Sequence, residues 1–94
     1  MNHNLFDWDF DNITHIANHD VIPEEAEEAM LGCLLFLETQ EVDGEIRIVE
    51  VGSTRRGRVL QLTYTMRGSR IRIVTAYDPN KRLVWQYHTE CGES

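Results

Sequence analysis

Ninety-four residues, 41% hydrophobic and 27% charged, suit one small domain spanning residues 1–94 with a core of limited size. That composition excludes a disordered chain, and no apolar run approaches the ~20 residues that cross a bilayer; the longest, residues 30–37, is broken by Gly32. The formal charge of −7 is unevenly spread: residues 1–52 hold 13 of the 16 acids and one base, Arg47, while residues 53–82 hold eight of the nine bases and one acid, Asp78.

The chain does not open on a basic region followed by an apolar stretch, so the expectation is no secretory signal and a cytoplasmic protein without a membrane partner. Residues 5–10, Leu-Phe-Asp-Trp-Asp-Phe, alternate apolar and acidic, as a short strand or extended segment does. Asp9 or Asp11 then caps a helix in which Ile13, Ile16 and Ala17 share a face, with His15 and His19 together on another. Pro23 suits the first position of a second helix, and Glu24 and Glu25 suit its positive end. Ala26, Ala29, Met30 and Cys33 follow its apolar stripe, and Gly32 marks its end. Two cysteines make no disulfide framework, so Cys33 and Cys91 read as reduced thiols.

Strands follow. Residues 34–39 form the first, Asp43-Gly44 is a tight hairpin signal, and residues 45–51 form the second. A basic turn leads to strands at 58–67 and 70–76. Asp78 as N-cap and Pro79 as first residue begin a last helix, whose Leu83, Val84 and Tyr87 face the sheet. The fold class is therefore α+β: two N-terminal helices and a C-terminal helix packed on an antiparallel sheet of about four strands.

The last hairpin fixes its own register. A two-residue turn at Gly68-Ser69 pairs Arg67 with Arg70, Met66 with Ile71, Thr65 with Arg72, Tyr64 with Ile73 and Thr63 with Val74. Leu60, Leu62, Tyr64, Met66, Ile71 and Ile73 then form a core face. Gln61, Thr63, Thr65, Arg67, Arg70 and Arg72 form a wet one, where like charges lie opposite one another and an anion would relieve them. Arginine presents a planar fork matched to phosphate. With Arg55, Arg56 and Arg58 in the adjoining turn, this face could track a polyphosphate backbone. The alternative is a solvated sheet face, or a face paired with the chain's own acidic helices.

Two segments, FDWDFDNITHIANHDVIPEEAEEAM and RIVEVGSTRRGRVLQLTYTMRGSRIRIVTA, resemble the BrnT-type toxins of bacterial toxin–antitoxin pairs over residues 6 to about 82. They are closer to a branch that opens NIxHIxxHxVxPEEAEE. The resemblance implies a RelE-like α+β fold, RNA cleavage without metal or cofactor, and a cognate antitoxin that covers the site. Arg58, Arg67 and Arg72 match the family pattern directly, as does His19. Asn18-His19-Asp20 stands where the family commonly carries Lys-His-Gly, Tyr77 where it carries arginine, and Leu83-Val84 where Glu-Arg is expected.

Metal-free cleavage by a ribose 2′-hydroxyl needs a base, an acid and cations for the developing charge. The candidate catalytic residues are His19, Arg67, Arg72 and Tyr77; the candidate RNA-binding residues are Arg55, Arg56, Arg58, Arg70, Lys81 and Arg82. His15 with His19, or His88 with Cys91, lacks the further ligands of a metal site. Glu24, Glu25, Glu27 and Glu28 read as a solvated helix face, or as a screen for the basic sheet. Two other functions stay open: a catalytically degenerate RNA- or protein-binding module on the same fold, and an interaction domain whose edge strand at 34–38 accepts a partner's strand.

Overall fold

The computed structural model describes residues 5–92. Its elements run α1 (Phe10–Ala17), α2 (Pro23–Leu31), β1 (Leu35–Val42), β2 (Glu45–Ser53), β3 (Val59–Arg67), β4 (Arg70–Tyr77) and α3 (Lys81–Glu90). The four strands form one antiparallel sheet in the order β1-β2-β3-β4, so the α+β expectation holds. No helix among the described residues is long and apolar enough to cross a membrane.

Residues 5–10 are not a strand. Phe6 makes one parallel bridge to Ile71, with Ile71 N–H donating to the Leu5 carbonyl and Asp7 N–H to that of Ile71, both at 2.8 Å. The segment thus caps the β4 edge, and Phe10 already belongs to α1. Asp9 closes α1 as a capping box: its carboxylate accepts from Asn12 N–H at 3.2 Å, and its N–H donates to the Asn12 side chain at 2.8 Å. Of the apolar face expected for this helix only Ile16 is buried, since α1 lies along the sheet edge and leaves Ile13 and Ala17 exposed.

α1 ends in a left-handed turn. Asp20 has φ 59°, while Asp20 N–H donates to the Ala17 carbonyl and Val21 N–H to that of Ile16, the bonds of a Schellman motif. An L side chain is strained in this conformation. α2 begins at Pro23 as expected, and Glu25 accepts from Ile22 N–H at 3.1 Å.

α1 and α2 cover one face of the sheet, where Ile16, Val21, Ala26, Ala29 and Met30 pack on Leu60, Leu62, Ile73 and Ala76. Gly52 lets α2 come this close: a Cβ there would overlap the Ala29 carbonyl. α3 covers part of the opposite face, with Tyr87 and Val84 against Val51, Val59, Leu35 and Leu37.

Several expectations are corrected. Cys33 lies beyond α2 and is bonded to Cys91, their Cα atoms 6.0 Å apart, so these are not free thiols. Gly32 ends the helix one residue too early for Cys33 to join its stripe, and the last turn of α3 brings Cys91 alongside. α3 is capped by Asn80, whose side chain accepts from Leu83 N–H at 2.9 Å, rather than by Asp78, which is engaged elsewhere. The β3–β4 register holds from Arg67↔Arg70 to Tyr64↔Ile73; a bulge then inserts Val74 and pairs Thr63 with Thr75. Met66 is half exposed, because α2 does not reach that end of the sheet. Thr63 and Thr65 are buried although they lie on the basic face, being short side chains on the interior strand β3. The β1–β2 turn is as expected: Asp43 and Gly44 both have positive φ, as a type I′ turn requires.

Candidate nucleic-acid interface

β-strand alternation puts Glu45 and Arg47 of β2, Thr65 and Arg67 of β3, and Arg72 of β4 on the face opposite α2. Asp11, Asn12 and His15 of α1 close the β4 side of this surface, making a cleft of about 270 Å³ that Val74, the bulge residue, completes. The position of α1 is fixed by buried Asn12, whose side-chain amide donates to the carbonyls of Asp7 at 2.9 Å and Ile73 at 3.1 Å.

The arginines here are partly matched by acids from distant segments. Arg72 meets Asp9 at 3.0 Å and Asp7 at 3.6 Å. Arg67 meets Glu45 at 3.3 Å, and Arg47 meets the same carboxylate at 3.0 Å. The hydrogen bond from Arg72 holds the Asp9 carboxyl below its usual range, helped by the Asn12 N–H, and Arg47 does the same to Glu45. Asp9 in turn raises the Arg72 guanidinium. Arg72 is mostly buried, whereas Arg67 remains 53% exposed and is the most open of the three cleft arginines. The expected pairing of this row with the chain's acidic helices does not form in the cleft: the partners are Asp7 and Asp9, which precede α1, and Glu45 of β2.

A second cluster sits where β4 ends. The His19 ring lies 5.6 Å from Tyr77 and 5.8 Å from His15. Beside them Arg58 forms a clamp: its guanidinium meets both Asp78 oxygens at 2.9 and 3.1 Å, Glu25 at 3.1 Å, and the carbonyls of Asp20 at 2.7 Å and His19 at 3.3 Å. That pairing lowers the Asp78 carboxyl and raises Arg58. Arg58 therefore ties the α1–α2 turn to the end of β4, with its donors directed at internal partners.

The candidate residues fall into groups. Arg67 and Arg72 share the cleft; His19 and Tyr77 share the other cluster, five residues along β4 from Arg72, or about 16 Å at the rise of a strand. Arg70 donates to the Phe6 carbonyl at 2.6 Å and so holds the edge segment. Lys81 and Arg82 are exposed on the first turn of α3. Arg55 and Arg56 lie apart, exposed in the β2–β3 turn beside Glu24 and Glu28. The acidic run of α2 has divided roles: Glu27 is buried and accepts from the Trp8 indole at 2.8 Å, Glu28 accepts from Arg55 N–H, and Glu25 binds Arg58.

Sequence reasoning missed His15 and Arg47. His15 lines the arginine cleft and also stacks toward His19, so it links the two clusters. Its i, i+4 spacing from His19 was visible but was weighed only as a metal pair, and set aside for want of further ligands. Arg47 was visible as the lone base of the acidic half, and its cross-strand position needed the sheet register. Among the described residues, no group of three histidine, cysteine or acidic side chains is placed to hold a metal ion.

A comparison with curated proteins finds no match. The family model for the ribonuclease toxin BrnT of type II toxin–antitoxin systems matches residues 8–82, which takes in α1, α2 and all four strands and stops at the start of α3. With most of the chain matched and the α+β fold in place, this protein belongs to the family of BrnT ribonuclease toxins.

Proposed function

We infer that the chain is a toxin that binds single-stranded RNA in the Arg67–Arg72 cleft and cleaves it without a metal, its activity checked in the cytoplasm by a protein antitoxin. The observation that carries this reading is the convergence of Arg47, Arg67, Arg72 and His15 on one open cleft within a chain of that family. Arg67 and Arg47 neutralise the scissile phosphate as charge develops on it, and Arg72, held by Asp9, supplies a fixed positive wall. His15 lines the cleft, where its imidazole serves the 2′-hydroxyl or the 5′-oxygen. His19 and Tyr77 take the neighbouring nucleotide by stacking, with Tyr77 available as a weak acid. Arg70, Lys81 and Arg82 extend the basic track; Arg55, Arg56 and Arg58 support it less, given their acidic neighbours.

A second reading has its own support. Each of Arg47, Arg67 and Arg72 already holds a carboxylate, which favours a module that binds RNA or protein without cleaving. Incubating the protein with a labelled oligoribonucleotide at low salt separates the two. The toxin reading expects fragments ending in 2′,3′-cyclic phosphate. Salt-sensitive binding with intact RNA selects the binding module.

A further inference from the structure

The arginine cleft uses one face of the sheet. On the other face, α2 covers only the end where Gly52, Leu60 and Leu62 lie. Past α2, that face carries Phe36 of β1, Ile46 and Ile48 of β2 and Met66 of β3, with Tyr64 of β3 and Ile71 of β4 partly buried against the core at its edge. Pairing sets Ile48 beside Tyr64 and Met66 beside Ile71, so the patch is continuous across β2, β3 and β4, while Phe36 of β1 stands opposite Glu50. Phe36, Ile46 and Met66 are 56%, 55% and 50% exposed. Contiguous apolar surface of this kind on a folded domain marks a contact site.

Its rim is acidic. Glu41 and Glu50 share the face, Asp43 sits in the adjoining turn, and the Tyr64 hydroxyl donates to Glu50 at 2.7 Å. Arg47, Arg67, Arg70 and Arg72 all alternate to the opposite side. A sheet face left apolar is completed by a layer of helix, as α2 does for the adjoining half. We propose that the uncovered half docks a helix of a partner protein, with an apolar stripe flanked by lysine and arginine. Three strands about 4.8 Å apart give a width of about 10 Å, which a helix crosses in about six residues.

Charge selects this occupant. A second copy would set Glu41, Asp43 and Glu50 against their own equivalents, and RNA or an anionic bilayer would meet the same acids. Membership in a two-component family supplies a protein partner, and docking here leaves the arginine cleft uncovered.

The test uses two synthetic helical peptides with the same leucine stripe, one flanked by lysine and one by glutamate. Each is titrated into the full chain by calorimetry and by amide-resolved NMR. The lysine peptide is expected to bind, with shifts at Ile46, Ile48, Met66 and Ile71, and the glutamate peptide to bind at least tenfold more weakly. Ile46→Asn with Met66→Asn, both at exposed positions, should weaken the lysine peptide at least tenfold while circular dichroism stays unchanged. Glu41→Lys should narrow the preference between the peptides. Equal binding of both peptides, shifts confined to the arginine cleft, or self-association of the free protein through Met66 overturns the proposal.

Discussion

The two faces of the β3–β4 hairpin differ sharply although they share one ribbon of backbone. Thr65, Arg67, Arg70 and Arg72 lie on one side, and Met66 and Ile71 on the other. On the basic side each arginine is tied to something far away in sequence: Arg72 to Asp7 and Asp9, Arg67 to Glu45, Arg70 to the Phe6 carbonyl. On the apolar side the helix layer stops short, and Met66 stays half exposed. Period-2 alternation thus builds two surfaces of opposite character, and what arrives from other elements decides how much of each stays available. α3 adds to the contrast, because it packs on the basic side alone.

The strongest way to disturb one face and spare the other is to release α3. The Cys33–Cys91 bond spans 58 residues and fastens the end of α3 beside β1. Cys91→Ser is expected to lower unfolding stability by about 2–4 kcal/mol. Denaturant titration checks this, and the loss should reproduce the effect of a reductant on the parent. The accompanying NMR changes should cluster at Leu35, Leu37, Val51 and Val59 rather than at Ile46 and Met66.

Acid should act next, also on the charged side. The carboxyls of Asp9, Glu45 and Asp78 are lowered in the folded protein by Arg72, Arg47 and Arg58. Their contribution is complete above the ordinary carboxylate values of about 3.8 to 4.5 and is lost as pH falls through the lower folded values. Melting temperature followed from pH 6 to 2 should therefore drop mainly below about pH 4, and Asp78→Asn should make that drop shallower. The effect is small, since Asp78 is 63% exposed and screened by water. The smallest change concerns the turn the Arg58 clamp holds. Asp20→Gly removes a strained left-handed residue and is expected to stabilise by about 0.5–1 kcal/mol in the same titration, leaving both faces unaltered.

Much of this arrangement could be read locally. The Asp9 cap, Pro23 at the start of α2, the Asp43-Gly44 turn and the first four pairs of the last hairpin depend on a few adjacent residues with defined backbone needs. The parts that escaped depend on contacts between distant segments. The bulge at Val74 moved one pairing, and the reach of α2 decided that Met66 would be wet. The disulfide needed two chain ends brought together in space. Arg67 and Arg72 were legible as a pair because alternation alone places them. His15 and Arg47 were not, because they join that cleft only through the docking of α1 on the β4 edge and the β2–β3 register.

The central claim is that the arginine face performs the chemistry and the apolar face does not. It is tested most directly by the rate of oligoribonucleotide cleavage at low salt, measured for the parent, for Arg67→Ala with Arg72→Ala, and for Ile46→Asn with Met66→Asn. The arginine pair is expected to lose about 10²–10³-fold in rate, and the apolar pair to match the parent. Cleavage that survives loss of both arginines, or that disappears with Ile46 and Met66, would contradict the account.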